Sequence, residues 1–350
     1  MQRPTMDPMF VEALEIDAPP RRPVLPQVWS ALRAMLSALF TLLTVQVASR
    51  GHVENDETSG RLAALLRRVI YWLALVPAGL IMVVLVLCHV ATHPHAHDVA
   101  LDPGSLGIFY DAVTVPVSET RRLDGWLVQP LDARRLLDER ERALRRRFPA
   151  VVLVHDHVSG PHQMLPLVQP LRDAGFVVLV LRSDRLSGGH SSGGSFGVHE
   201  ADDVLAALRL LQQQTFVDPQ RLAVVGAGSG GNAAALSATR EPAIRCVVLD
   251  GPLVNARDAL ARHVVPPKQS LAMLSPVCRW VLEIAYGIDL DRLDLGRALR
   301  ELHPRPVLVF ESGEGTRIAG DARARQIVGF LNQHLGKSRV QPVGSASAMR

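Results

Sequence analysis

The stretch Arg221–Ala238, RLAVVGAGSGGNAAALSA, limits the architecture of this chain more than any other. Leu222 to Val225 are apolar and partly β-branched, which suits a strand covered on both faces. Gly226, Gly228, Gly230 and Gly231 crowd the turn that follows. Asn232 and a run of alanines then open a helix, alanine being the best helix former. The chain must therefore pass from a buried strand into a helix within a few residues.

Neighbouring stretches supply the rest of such a sheet. Ala150–Val154 is an apolar strand ending in His155 and Asp156, a helix is expected over about 164–173, and Phe176–Leu181 is a second strand. These form a βαβ unit, hence a parallel sheet. Residues 196–213 read as an amphipathic helix whose first turn carries Glu200, Asp202 and Asp203, as the helix dipole favours. Ile244–Leu249 is a further strand ending at Asp250, and Pro306–Phe310 another, followed by a helix over 322–335 and a last strand over 338–343. Phe109–Pro130 alternates as a half-exposed hairpin. Ala133–Arg147 is a charged insertion, and residues 253–303 are helical and irregular.

Upstream, Val69–Ala91 runs for 23 residues without a formal charge apart from His89. That length crosses a bilayer, and Pro77 and Gly79 are tolerated in membrane helices. It is too long and too far from Met1 for an ordinary cleaved signal peptide. Arg61, Arg67 and Arg68 precede it, and no Lys or Arg follows until Arg121, so the positive-inside rule places the large domain on the extracytoplasmic side of the cell membrane. Trp29–Val47 is also apolar and reads as an interfacial helix, a second membrane arm or a helix docked on the next one. Residues 1–28 are rich in proline and polar residues and read as a disordered tail, and residues 50–62 as a loop. His93, His95 and His97 lie in a linker over 92–106; with no carboxylate or thiolate framework around them, no metal site is expected.

The 350-residue chain carries a formal net charge of +4 from arginines gathered in runs without interleaved aromatics, which argues against nucleic acid as a partner. Cys88, Cys246 and Cys278 show no paired spacing and read as buried small hydrophobes.

A strand entering a helix through a tight glycine turn is the geometry of the nucleophile elbow, which normally reads Gly-x-Ser-x-Gly. Gly226, Gly230, Gly231 and Asn232 fall in register with the elbow of the α/β-hydrolases, which this stretch resembles; the opening hairpin, with Asp124-Gly125-Trp126, is similar to the serine aminopeptidase and prolyl oligopeptidase branch. The resemblance spans about residues 107–350. It implies an α/β-hydrolase fold, a mostly parallel doubly wound sheet with helices on both faces, and a cap or lid within 253–303. No cofactor is expected.

In that register Gly228 occupies the nucleophile position, where glycine has no side chain to attack with. A one-residue shift makes Ser229 the nucleophile. The family's His-Gly after the first parallel strand supplies an oxyanion-hole N–H; here the loop reads His155-Asp156-His157. The loop Arg182–Ser195 is similar to the family's Asp-x-Arg-Gly turn, with Asp184 roughly in place. Where the family carries its acid, this chain has the Gly315/Thr316 turn beside Glu314; where the family carries its histidine, it has Ser345–Ser347. Asp250, past the end of a parallel strand, is placed to orient a base or to cap the next helix.

Two readings follow. One is a membrane-tethered pseudohydrolase that binds a protein partner or small ligand. The other is an active ester, thioester or peptide hydrolase using Ser229, with Asp250 or Glu314 as the acid and His155, His157 or His190 as the base.

Overall fold

The computed structural model describes residues 57–93, 101–119, 121–130, 147–182, 194–265, 272–311 and 321–336. The expected tail, the apolar stretch 29–47, the charged insertion over 133–146, Asp184, His190, Glu314 and the last strand all lie outside these residues. The chain divides into two compact units, Met1–Val76 with Val281–Gly287, and Pro77–Trp280 with Ile288–Arg350.

The first element is α1, Glu57–Thr92, which contains the expected apolar span. Residues 57–62, expected as loop, are its first turns: helix propagates more cheaply than it nucleates, and the apolar run behind them supplies the nucleus. Tyr71–Thr92 has a mean hydropathy of 2.6 and is long and apolar enough to cross a membrane. From Leu80 onward Leu80, Ile81, Met82, Val83, Val86 and Val90 are exposed. Val84, Cys88 and Ala91, at helical spacing, are buried and make one covered stripe.

Among the described residues a sheet of seven strands follows, in spatial order β1-β2-β4-β3-β5-β6-β7. The expected hairpin is β1 (Asp111–Pro116) and β2 (Arg122–Val128), paired antiparallel. β2 joins antiparallel to β4 (Val177–Arg182). From β4 through β3 (Phe148–Val154), β5 (Val217–Ala227), β6 (Ile244–Asp250) and β7 (Val307–Phe310) every pairing is parallel.

Alternation along the central strands feeds two cores. Ala150, Val152, Leu222 and Val224 face helices α3 (Glu200–Gln212) and α4 (Ser229–Arg240). Val151, Leu153, Ala223 and Val225 face α2 (Leu165–Asp173) and the C-terminal helix Asp321–Leu335. With both faces covered, the middle stretches Ala150–Val154, Val177–Leu181, Leu222–Val225 and Cys246–Leu249 are apolar at every position, as the sequence required.

After β6 the chain is irregular. Short helix α5 (Ala256–Ala259) runs into a π-turn, Leu260–Val264, and α6 (Ser275–Ala285) and α7 (Leu295–Leu302) follow before β7. The C-terminal helix Asp321–Leu335 is α8 and carries His334, whose ring lies against Phe330.

Candidate functional site

The site is built where β5 turns into α4. Gly228 sits in that turn at φ 54°, ψ −123°, a conformation that side chains rarely adopt. The glycines on either side are demanded by contact. A Cβ on Gly226 would lie 2.1 Å from the Gly230 carbonyl oxygen, and one on Gly230 would lie 2.4 Å from that of Val154. The turn is thus as tight as the elbow motif requires, and α4 begins at Ser229, directly after Gly228. Gly228, and not Ser229, holds the apex.

The space in front of Gly228 is filled from β3. A Cβ on Gly228 would meet the Asp156 carboxyl group at 2.5 to 2.9 Å. The carboxylate missing from a hydrolase loop thus stands where a side chain at the apex would point. Its Oδ1 accepts from the Ser229 hydroxyl at 2.8 Å and the Ser229 N–H at 3.3 Å, and lies 3.1 Å from His157 Nδ1.

His157 closes the cluster. Its N–H donates to Ser229 Oγ at 2.9 Å, and its Nδ1 lies 3.0 Å from the same oxygen. Nε2 lies 3.3 Å from the carbonyl oxygen of Ala91, in the last turn of α1. A carbonyl only accepts, so Nε2 carries a hydrogen in that contact. Nδ1 faces both the Asp156 carboxylate and the Ser229 hydroxyl. The Gly194 N–H likewise donates to the Thr92 carbonyl at 2.6 Å, so two terminal carbonyls of α1 are satisfied by the loops of this site.

Burial of Asp156 would push its carboxyl up, but His157, the Ser229 hydroxyl and His263 outweigh burial and hold it well below the usual carboxylate range. Such a group is a weak base. His155 is fully buried, and desolvation pushes it down against the Asp156 carbonyl that accepts from its Nδ1 at 2.8 Å. His263, from the π-turn, packs on His157 with ring centroids 4.8 Å apart; burial, then the neighbouring imidazole, push it down to about 4. Phe196, buried and held at φ 57°, lays its ring against both His157 and His263, with centroids 5.4 and 5.7 Å away.

Behind Ser229 lies a cavity of about 30 Å³ lined by His155, His157, Glu200, Asp203 and Ser229 among others, room for no more than a water-sized molecule. Ser229 itself is 1% exposed. Glu200 braces the turn before α3, accepting from the Ser195 hydroxyl and from the N–H groups of Ser195 and Gly197. Asp203 pairs with Arg121 at 2.5 Å through Oδ2, while its buried Oδ1 has no partner among the described residues. Burial, opposed by Arg121 and reinforced by Glu200, pushes Asp203 up to about 7.

Among the described residues, Asp250 neither meets a histidine nor caps a helix. Its carboxylate is bound by Arg323 of α8 at 2.9 Å, and that guanidinium lies over the Phe310 ring at 4.8 Å. The cap of α5 is Asn255. Burial pushes Asp250 up, against the pull of Arg323. Of the residues singled out in the sequence, the structure therefore joins Gly228, Ser229, Asp156 and His157, places His155 beside them, and sends Asp250 elsewhere. Glu314 is not among the described residues. His93 of the expected linker stacks on His89, and no three His, Cys, Asp or Glu side chains among the described residues converge as a metal set. The parts that sequence reasoning missed are the Ala91 carbonyl, Phe196 and His263, none of which carries a local signature.

Comparison with known proteins agrees with this architecture. The prolyl oligopeptidase family matches residues 167–264. No curated protein sequence matches the chain. Among solved structures, an esterase of Pyrococcus furiosus aligns with a TM-score of 0.50 and 18% identity, over 70% of this chain and 98% of that one. A dienelactone hydrolase from Anabaena variabilis aligns at 0.42 and 16%, over 66% and 99%. An esterase of Pyrobaculum calidifontis aligns at 0.41 and 17%, over 77% and 97%. With its strand order, its glycine elbow and the likeness to the Pyrococcus furiosus esterase, the chain is an α/β-hydrolase-fold protein, similar over residues 167–264 to the prolyl oligopeptidase family.

Proposed function

We propose that this protein is a membrane-tethered pseudohydrolase, an α/β-hydrolase-fold domain that binds a protein partner or small ligand instead of cleaving one. The observation that carries the reading is the Asp156 carboxylate standing where a side chain at Gly228 would project. The side chain lost from the elbow apex has been replaced by one from the facing loop. That replacement also fills the oxyanion site. In the hydrolase mechanism the N–H after the apex and one from the facing loop receive the developing negative charge. Here the Ser229 N–H is taken by Asp156 and the His157 N–H by Ser229 Oγ. A fixed carboxylate at that place would repel an oxyanion.

The tether is α1, whose segment Tyr71–Thr92 has the length and hydropathy of a span. The arginine asymmetry around it supports an extracytoplasmic domain.

One observation favours a second reading. His157 Nδ1 lies 3.0 Å from Ser229 Oγ, within reach of a general base. With a hydrogen on Nε2 alone, Nδ1 would accept the serine proton, and the protein would act as a hydrolase of esters, thioesters or peptides with Ser229 as a displaced nucleophile. A fluorophosphonate probe on the full chain separates the two. The pseudohydrolase reading expects no labelling above that of Ser229→Ala. Stoichiometric labelling that vanishes in Ser229→Ala would overturn it in favour of the second.

A further inference from the structure

The helix α6 presents an unusual surface. Leu274, Cys278 and Leu282 are buried, while Met273, Val277 and Trp280 are 77%, 38% and 62% exposed, and Ile284 continues their spacing at 46%. Steps of three and four residues put Val277, Trp280 and Ile284 in one stripe along the helix, and Met273 stands just ahead of it in the 3-10 turn Ala272–Leu274. A soluble domain has little reason to offer water a methionine, a valine, a tryptophan and an isoleucine in line.

The position of the helix says what covers the stripe. The Cys88 thiol of α1 donates to the Cys278 carbonyl at 3.6 Å. Cys88 is four residues short of Thr92, where α1 ends, so α6 crosses α1 about 6 Å before that end, at 1.5 Å per residue. An amphipathic helix lying on a bilayer sits with its apolar face about 5–10 Å into the boundary between headgroups and acyl chains, and tryptophan is enriched at that depth. The polar side of α6 fits the same placement: Arg279 pairs with Asp291 at 2.7 Å.

We infer that α6 is an interfacial helix, and that its Val277–Trp280 stripe, with Met273 of the turn before it, rests on the lipid surface beside the exit of α1. This rests on the reading of α1 as a span. Residues 253–303, expected as a cap, would then hold the domain at a fixed tilt against the membrane, so that the tether is two-point and not a swivel.

The test uses the full chain in phosphatidylcholine/phosphatidylglycerol nanodiscs. A nitroxide is placed at Val277→Cys, or at Met273→Cys as a second variant, with Met82→Cys in α1 and Arg292→Cys as references. Saturation is compared for oxygen, which partitions into lipid, and for a water-soluble nickel chelate. The expected result is a ratio of oxygen to nickel effects at position 277 several-fold above that at 292 and approaching that at 82. A lipid-exposed label at 82 with a water-exposed one at 277 would overturn this inference and leave the anchor intact. Shielding of 277 from both reagents, the signature of a protein partner or second copy, would also overturn it. A water-exposed label at 82 would sink the anchor, and this inference with it.

Discussion

Two aspartates lie just past the C-terminal ends of parallel strands, Asp156 after β3 and Asp250 at the end of β6, and they have opposite fates. Asp156 is surrounded by donors, the Ser229 hydroxyl and N–H and the His157 ring, and is held ionised well below the usual range. Asp250 is more deeply buried and has one charged partner, Arg323, so burial prevails and its carboxyl is pushed up. The strand end brings a carboxylate to the C-terminal edge of the sheet, but the partners decide its proton affinity and its use. At the β6 end the carboxylate fastens α8 to the sheet. At the β3 end it stands against the Gly228 apex and ties α4, the facing loop and the last turn of α1 together through His157.

The comparison breaks most sharply on Gly228→Ser. The new Cβ would enter the space of the Asp156 carboxyl at 2.5 Å, and we expect a loss of about 3 kcal/mol, read from thermal unfolding of the detergent-solubilised chain. Paired with Asp156→Gly, the same substitution should cost about 2 kcal/mol less than the sum of the single changes, because the clash is gone. Additive losses would mean that the two positions do not share one space.

Truncating the two aspartates should separate them next. Asp156→Ala strands the Ser229 and His157 donors in a buried site and should cost about 3 kcal/mol. Asp250→Ala leaves Arg323, whose side chain is 27% exposed, within reach of water, and should cost about 1–2 kcal/mol. Equal losses would erase the distinction drawn here.

The pH dependence carries the same contrast with opposite signs. Asp156, lowered on folding, contributes stability above the unfolded carboxyl pKa of about 3.9, and that contribution is lost as pH falls through and below it. Asp250, raised on folding, favours the folded state most when protonated, so its contribution declines as pH rises above about 3.9. Asp203 behaves as Asp250 does over a defined window: with its carboxyl pushed up to about 7, stability should fall between about pH 4 and pH 7, and Asp203→Asn should flatten that slope. An unchanged slope in Asp203→Asn would show that the unpartnered oxygen is not the titrating group.

The smallest expected effect is that of Ser229→Ala, about 1 kcal/mol. Asp156 and His157 remain paired to each other without the hydroxyl, so the cluster should persist with the fold intact.

Much of the fold was legible because it is written in local periodicity. The apolar runs at β3, β4, β5 and β6 could only be strands covered on both faces, and the glycines around Gly228 could only serve a turn too tight for side chains. The start of α1 was not legible, since polar residues 57–62 gain their helicity from the run that follows them. Of the site, the glycine at the elbow apex, Gly228, was legible from register alone.

What filled the gap was not, because Asp156 and Ser229 are 73 residues apart and His157 meets the end of a helix 66 residues before it. A pattern in sequence reports neighbours along the chain. Whether a carboxylate is a base, a strut or a plug depends on donors brought to it by other strands and on how completely they exclude water, and only the packed tertiary structure sets those.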